Sequence, residues 1–387
     1  MAESARDATV RVLHFVTGGF SGGATQVAAA LCETPNTHSA IEPLLVLRRK
    51  RHTDPKRIEA LRARGIRVEV VPGWSHFASI LALVRLCRRF RPQVLVAHGF
   101  SEHLWGRYAG LIAKVPVLVQ VEHNTRERYT AFRLAQSRWL ARRTARIVGC
   151  SEGVRAVLLA QGLPADRCVA ISNGIRTEPF APSPDRSFTT REAGVVMVAR
   201  FSKQKDHATL LRALVVLRER GLHPQLHLAG GGKSLHRRPV ELLAQRLGLT
   251  EQVRFLGVID TVPTLLMSQQ VCVLSTHYEG MPLALIEGMA AGCAVVGSRV
   301  PGVQEIIRHG EDGLLVDPGS PLALADALEL LLRDPARAAG IATAGRTRAL
   351  AEFSRERMQS DYAKLLLSLA GDPGQLPQGV QSSGPVR

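Results

Sequence analysis

Short runs of Val, Ile and Leu alternate along this chain with longer stretches whose apolar residues recur every three or four positions. The first pattern marks buried strands and the second amphipathic helices, and their repeated alternation predicts parallel α/β layers. Residues 10–16 read as a first strand, 18–23 as its turn, and a helix is expected to begin near Thr25 and run to Cys32. Residues 44–47, 68–71, 94–97, 117–121, 147–149 and 169–171 read as further strands, followed by the turn dipeptide Asn173-Gly174. A second set is expected at 195–199, 225–229, 253–255, 271–275 and 294–297, with helices between them, including 207–218 and 321–332. Between the two sets, residues 179–194 are rich in Pro, Ser and Thr and carry no periodicity. The expected organisation is therefore a Rossmann-like domain over 1–180, a linker over 181–194, a second Rossmann-like domain over 195–370, and a disordered Gly/Pro/Ser/Gln tail over 371–387. Ligands of such sheets sit outside the carboxyl ends of the strands, here in the cleft between the two halves.

Composition adds a polarity to this picture. The 387 residues suit two domains, and 45% hydrophobic with 21% charged residues is a globular balance. The net charge of +17 is uneven: residues 1–180 hold 27 Lys+Arg against 13 Asp+Glu, a net of +14, and the remainder holds 23 against 20, a net of +3. A basic half attracts phosphate-rich partners: nucleic acid, anionic lipid or a diphosphate substrate. Aromatic residues are only 5% of the chain, and no stacking platform or recognition motif appears, so specific nucleic-acid binding is not expected. The six cysteines form no C-x-x-C pair and suit a reducing compartment. Arg11 and His14 interrupt the only early apolar run, so no signal peptide is read, and no apolar run is long enough to span a bilayer. The expected location is cytoplasmic, with any membrane contact peripheral.

The most informative stretch is 271–297, VCVLSTHYEGMPLALIEGMAAGCAVVG. A strand leads to a loop carrying Glu279, Pro282 stands at the first turn of a helix, Glu287 lies one to two turns inside it, and Gly292 ends it. Free backbone N–H groups around Gly280, Met281 and Leu283 would make an anion site at the strand end. Taken singly, Glu279 is equally a helix-dipole partner and Glu287 a solvent-facing glutamate. Arg200 and Lys205 follow the first strand of the second half, five residues apart in VARFSKQKD. The turn Gly18-Gly19-Phe20-Ser21-Gly22-Gly23 lets backbone approach a ligand closely, and His98 and His123 stand at strand ends in the first half.

The E-x7-E spacing of Glu279 and Glu287, with GMAAGCAVVGSRVPGVQEII and GEDGLLVDPG after it, closely resembles the large family 4 of GT-B-fold glycosyltransferases, from the first strand to about Tyr362. The resemblance implies a GT-B architecture, an acceptor-binding first domain and a nucleotide-sugar-binding second one, whose last helix is free to pack back on the first. It implies that Glu279 contacts donor-sugar hydroxyls, that Glu287 holds the ribose diol, and that Arg200 and Lys205 face the diphosphate. Gly22 and Gly23 would lie on the donor side, Gly19 and His98 on the acceptor side, and His123 near the donor sugar. Val258 and Ile259 are the expected backbone readers of the base. Arg176, where the family often has an acid after Asn-Gly, and Val300, in place of one glycine of a pair, depart from the pattern.

Rival patterns are weaker. Two G-x-S-x-G matches exist, around Ser21 and Ser151, the second opening a helix as a nucleophile elbow would, with Asp260 and His277 as unsupported partners. Ser151 is equally a helix N-cap. Gly230-Gly231-Gly232-Lys233-Ser234 lacks the first glycine of a phosphate loop, since position 227 is His, and reads as a tight cleft-facing turn. An epimerase or hydrolase of nucleotide sugars on the same fold is the nearer alternative, and a Ser hydrolase the more distant one.

No D-x-D occurs, so neither cofactor nor metal is expected, and Arg200, Lys205 and the helix N-terminus would neutralise the leaving diphosphate. The resemblance implies retention of configuration. The expected partners are a nucleotide-sugar donor, with UDP preferred, and a sugar or polyprenyl-diphosphate-linked acceptor, as in envelope or extracellular polysaccharide assembly. Leu81, Val84 and Leu86 with Arg85, Arg88, Arg89 and Arg91 form a helix that either meets an anionic membrane or packs its apolar face on the first sheet.

Overall fold

A computed structural model describes residues 9–20, 22–33, 40–51, 53–127, 129–181 and 187–371. The first half runs β1 (Val10–Thr17), α1 (Gly23–Cys32), β2 (Ile41–Arg48), α2 (Pro55–Ala63), β3 (Val68–Val71), α3 (His76–Phe90), β4 (Val94–His98), α4 (Glu102–Ile112), β5 (Val117–Glu122), α5 (Ala131–Ala141), β6 (Arg146–Gly149), α6 (Glu152–Ala160) and β7 (Cys168–Ala170). The second runs β8 (Glu192–Val198), α7 (His207–Glu219), β9 (Leu226–Ala229), α8 (Ser234–Arg246), β10 (Val253–Gly257), α9 (Val262–Ser268) and β11 (Gln269–Leu274). It continues through α10 (Leu283–Ala290), β12 (Ala294–Ser298), α11 (Pro301–Gln304), β13 (Leu314–Val316), α12 (Pro321–Arg333), α13 (Pro335–Glu352) and α14 (Arg355–Gly371).

Every strand pairing is parallel, in the orders β3-β2-β1-β4-β5-β6-β7 and β10-β9-β8-β11-β12-β13. Helices cover both faces of such sheets, which is why β4, β5 and β11 are buried at every position and read as near-continuous apolar runs. Each order reverses direction once, between β1 and β4 in the first sheet and between β8 and β11 in the second. Those two switch points are where crevices open at the strands' carboxyl ends.

The halves are tied together at the back of the cleft. The last helix, α14, leaves the second domain and packs Met358, Tyr362, Leu366 and Leu369 among Val12, Val94, Val117 and Val148 of the first sheet. Its start is pinned by Arg355 N–H to the Ile175 carbonyl at 2.7 Å and by the Arg355 guanidinium to Glu33 and Glu178 at 3.0 and 2.7 Å. A β-carbon on Gly174 would stand 2.3 Å from the Ser354 carbonyl oxygen, so glycine is required there by this close approach.

Several expectations shift. Strand β8 starts at Glu192, earlier than expected, because Glu192 pairs with Gln269 of β11 and accepts its amide at 2.8 Å. The three-residue strand β13 went unread because a run that short carries no period. Gly371, assigned to the tail, is the last residue of α14; residues 372–387 and 182–186 lie outside the described residues. In α3, Val84 and Leu86 are buried against the sheet and Leu81 is exposed, so the apolar face packs inward while Arg85, Arg88 and Arg89 face out.

Candidate functional site

Both switch points carry the singled-out residues. β8 ends just before Arg200, whose exposed guanidinium makes no ion pair or hydrogen bond among the described residues. The backbone then curls so that Lys205 bridges Thr276, at the end of the neighbouring β11. This brings Lys205 Nζ to 2.5 Å from Glu279 Oε1, while the Thr276 hydroxyl donates to the same oxygen at 2.7 Å. Glu279 is thus a buried, anchored carboxylate, and not a free helix-dipole partner. Thr276 was missed in the sequence, because a hydroxyl three residues before a glutamate carries no pattern.

Pro282 caps α10, and among the described residues the N–H groups of Gly280 and Met281 have no acceptor, while that of Leu283 opens the helix. Together with Arg200 they present positive charge at one strand end, a setting for an anion. Glu287 lies one turn inside α10, half-buried, and burial pushes its carboxyl up to about 7, with Arg176 opposing. The departure at Arg176 therefore places a cation in the field of Glu287.

The triglycine loop lies beside Arg200. A β-carbon at Gly230 (φ 147°) would stand 2.1 Å from the Ala199 carbonyl, and Phe201 N–H donates to the Gly231 carbonyl at 2.8 Å. The glycines let two loops fuse into one cleft wall. Val258 is exposed and lies over Gly231, and Ile259 is half-buried after it.

From the first domain, Gly22 caps α1 without a side chain, and a β-carbon on Gly23 would lie 3.8 Å from Leu283 Cδ1 across the cleft. Gly19 is open on the same turn, with its N–H weakly bonded to Thr17 at 3.4 Å. Ser21 lies outside the described residues. His98 ends β4 and His123 follows β5, with His98 Nδ1 3.3 Å from His123 Nε2. The carboxyl of Glu122, raised well above its ordinary value by burial, accepts His123 N–H at 3.1 Å and fixes this strand end. Burial lowers His123 to about 4 and His98 well below its ordinary value, so both imidazoles are neutral.

The two sides touch directly. The Thr125 hydroxyl donates to the Glu279 carbonyl at 2.9 Å, and the Ser151 hydroxyl to the Gly280 carbonyl at 2.8 Å. Ser151 also caps α6 by accepting Val154 N–H at 3.2 Å and is 1% exposed. Its hydroxyl is committed in both directions, which overturns the nucleophile-elbow alternative; His277 stands instead 3.6 Å from Asp206. Glu305 reaches across to the start of α6, accepting Glu152 N–H at 2.7 Å and Gly153 N–H at 2.5 Å. Among the described residues no group of three or more His, Cys, Asp or Glu is arranged to hold a metal ion, and no helix is long and apolar enough to cross a membrane.

Known proteins share this arrangement. Residues 21–179 match Glycosyltransferase Family 4, and residues 184–348 match Glycosyl transferases group 1. LpsE of Rhizobium meliloti (strain 1021), a lipopolysaccharide core biosynthesis glycosyltransferase, is 35% identical over 181 residues. That match takes in 46% of this chain and 52% of LpsE, about half the length of the relative. EpsF of Bacillus subtilis (strain 168) is 29% identical over 303 residues, 73% of this chain and 77% of its own. The crystal structure of Anabaena Alr3699/HepE in complex with UDP-glucose aligns with a TM-score of 0.82 over 93% of this chain and 100% of that one, at 22% identity, a likeness of fold. With two doubly wound domains facing across a cleft and a family match in each, the chain belongs to the family 4 glycosyltransferases of GT-B fold.

Proposed function

We propose that this glycosyltransferase moves a hexosyl or N-acetylhexosaminyl unit from a nucleotide-diphosphate sugar, preferentially a UDP-sugar, to a sugar or lipid-linked acceptor with retention of configuration. The observation that carries this is the convergence at the β8/β11 switch point of an unpaired Arg200, the Lys205–Glu279 pair and the unpartnered Gly280 and Met281 amides. An anionic diphosphate is the ligand such a set suits. Glu287 then accepts from the ribose diol, since a carboxylate takes two hydrogen bonds in fixed geometry. Val258 and Ile259 flank the base, and Glu279 meets the sugar.

In this reading the leaving diphosphate is neutralised by Arg200, Lys205 and the start of α10, without a divalent metal or other cofactor. No fixed protein nucleophile acts: the acceptor hydroxyl attacks from the leaving-group face, and a diphosphate oxygen takes its proton. Gly22 and Gly23 close over the donor, His123 faces the sugar, and Gly19 and His98 lie on the acceptor side. The exclusion of water by the Gly280–His123 contact suppresses hydrolysis. The UDP-glucose complex of the Anabaena fold relative and the lipopolysaccharide role of LpsE support a UDP-sugar donor and a place in envelope or extracellular polysaccharide assembly. A cytoplasmic protein in peripheral contact with an anionic membrane fits the basic first half. Exposed Trp74, Phe77 and Leu81 beside Arg85, Arg88 and Arg89 supply a face suited to the bilayer interface.

Calorimetric titration with UDP, GDP and ADP, with and without EDTA, tests the donor reading. UDP binding unaffected by EDTA and weakened at least tenfold in Glu287→Ala is expected. Failure of all three nucleotides to bind would end the proposal.

A further inference from the structure

Behind His123 stands a second histidine already met, His98, and behind that a third, His14. The register pairs His14 of β1 with Val96 and His98 of β4 with Val121, and residues two apart on a strand share a face. Each histidine therefore sits one strand over and two residues further along the same face than the one before. The three rings form a diagonal from inside the sheet to the cleft. His14 Nδ1 lies 3.0 Å from His98 Nε2, and His98 Nδ1 3.3 Å from His123 Nε2. Ring centroids are 5.3 and 5.5 Å apart, with planes inclined by 32° and 18°. His123 Nδ1, the last nitrogen of the series, is buried without a partner.

Burial keeps the rings neutral, His14 being lowered to about 3. A neutral imidazole carries one N–H and one lone pair, so three in series order in only two ways. In one, every Nδ1 carries hydrogen, donation runs outward, and His123 ends the series with an open N–H. In the other, every Nε2 carries hydrogen, and the inner end is the N–H of His14. His14 is 1% exposed, and no described residue accepts from its Nε2. A buried N–H without an acceptor is rarer and costlier than a lone pair without a donor. The inner end therefore takes the lone pair, and the outward order follows.

We propose that His14 and His98 are positioning residues that hold His123 as its Nδ1–H tautomer, so that this N–H donates to an oxygen of the bound sugar nucleotide. The ligand part rests on the donor site proposed above; the ordering of the three rings does not. The outward order supplies a donor from a neutral ring, where a protonated histidine would be disfavoured by its surroundings.

Nitrogen-15 NMR of the full chain labelled at histidine reads the tautomers directly, because protonated and lone-pair ring nitrogens resonate far apart. The free wild type is expected to show His123 protonated at Nδ1, with that signal shifting when a UDP-sugar binds. In His14→Phe, or His14→Leu where Phe does not fold, His98 and His123 should each become tautomer mixtures. Transfer kcat should then fall about tenfold, while affinity for free UDP stays within twofold. His14→Asn, whose amide N–H replaces Nδ1–H, should restore both the tautomer and kcat. A wild-type His123 protonated at Nε2 overturns the proposal, as does a His14→Phe protein with the wild-type tautomer and kcat. If no nucleotide binds, the donor site falls, and the free-protein spectrum still decides the order of the rings.

Discussion

Lys205 Nζ and Glu279 Oε1 lie 2.5 Å apart with both side chains largely buried, joining the loops after β8 and β11. Removing one partner of such a pair strands the other charge, whereas removing both does not. Lys205→Ala should therefore destabilise the protein by roughly 3 kcal/mol, and Lys205→Met with Glu279→Leu should recover most of that. Both proteins should lose transfer activity by at least a hundredfold. Denaturant unfolding beside a transfer assay checks the two effects. Equal stability of the single and double variants would show that the pair is not coupled.

Glu287 gives a pH signature. Its carboxyl titrates near 7 in the fold, against an ordinary 4.5, so the native state holds a proton that the unfolded chain has released between those values. Stability from this group is greatest below about 4.5 and declines as pH rises towards 7. Glu287→Gln removes that dependence and should stabilise the nucleotide-free protein at pH 8 by up to about 3 kcal/mol, the upper limit for a half-buried group. The same variant should bind UDP more weakly. Wild-type affinity should tighten from pH 6 to 8, as the carboxylate form that accepts the ribose diol becomes populated. Thermal melts and titrations at both pH values test this, and parallel melting curves would remove it.

Glu305 links the second domain to the first by holding two amides of α6. Glu305→Gln keeps one acceptor oxygen and loses the charge at the helix N-terminus, whereas Glu305→Ala loses both. Losses of about 1 kcal/mol for Gln and about 2 kcal/mol for Ala are expected, given the usual value of a charged cap. A β-carbon on Gly153 would lie 2.9 Å from Glu305 Oε1 and 2.8 Å from Pro301 Cβ, so Gly153→Ala should mimic the Ala variant. Chemical denaturation ranks the three, and Gln falling below Ala would contradict the cap.

The parts legible in the sequence are those whose physics is local. Val94, Val96, Val117 and Val119 spell buried parallel strands, and Pro282 with Gly292 brackets α10, so strand and helix order could be read directly. The nearness of Glu279 to a helix start was likewise a matter of a few residues. Its partner Lys205 is 74 positions away, and Glu305 lies 152 from Gly153. Such pairs are set by how the two domains meet, which no periodicity encodes. His14 left a trace, a polar residue inside an apolar strand, but its meaning depends on sheet register, which places His98 beside it.

Gly280 offers the sharpest separation of fold from function. A β-carbon there would stand 2.1 Å from the His123 carbonyl oxygen, far inside contact distance, while Gly302 presses on Gly280 from behind, its own β-carbon position 2.1 Å from the Gly280 carbonyl. The loop has no room to retreat, so in Gly280→Ala the first domain must move away. Gly280 is not among the residues with positive φ, so alanine brings no left-handed strain, and the second domain should fold as before. Arg200 and Glu287, its proposed diphosphate and ribose contacts, are untouched, so affinity for UDP should stay within about threefold of wild type. Transfer should fall by about a hundredfold, because the sugar and His123 would no longer meet at their working distance. Calorimetry and a transfer assay on the same preparation suffice. Loss of both together would mean that Gly280 serves the donor site itself, and loss of neither would mean that the cleft closes in another way.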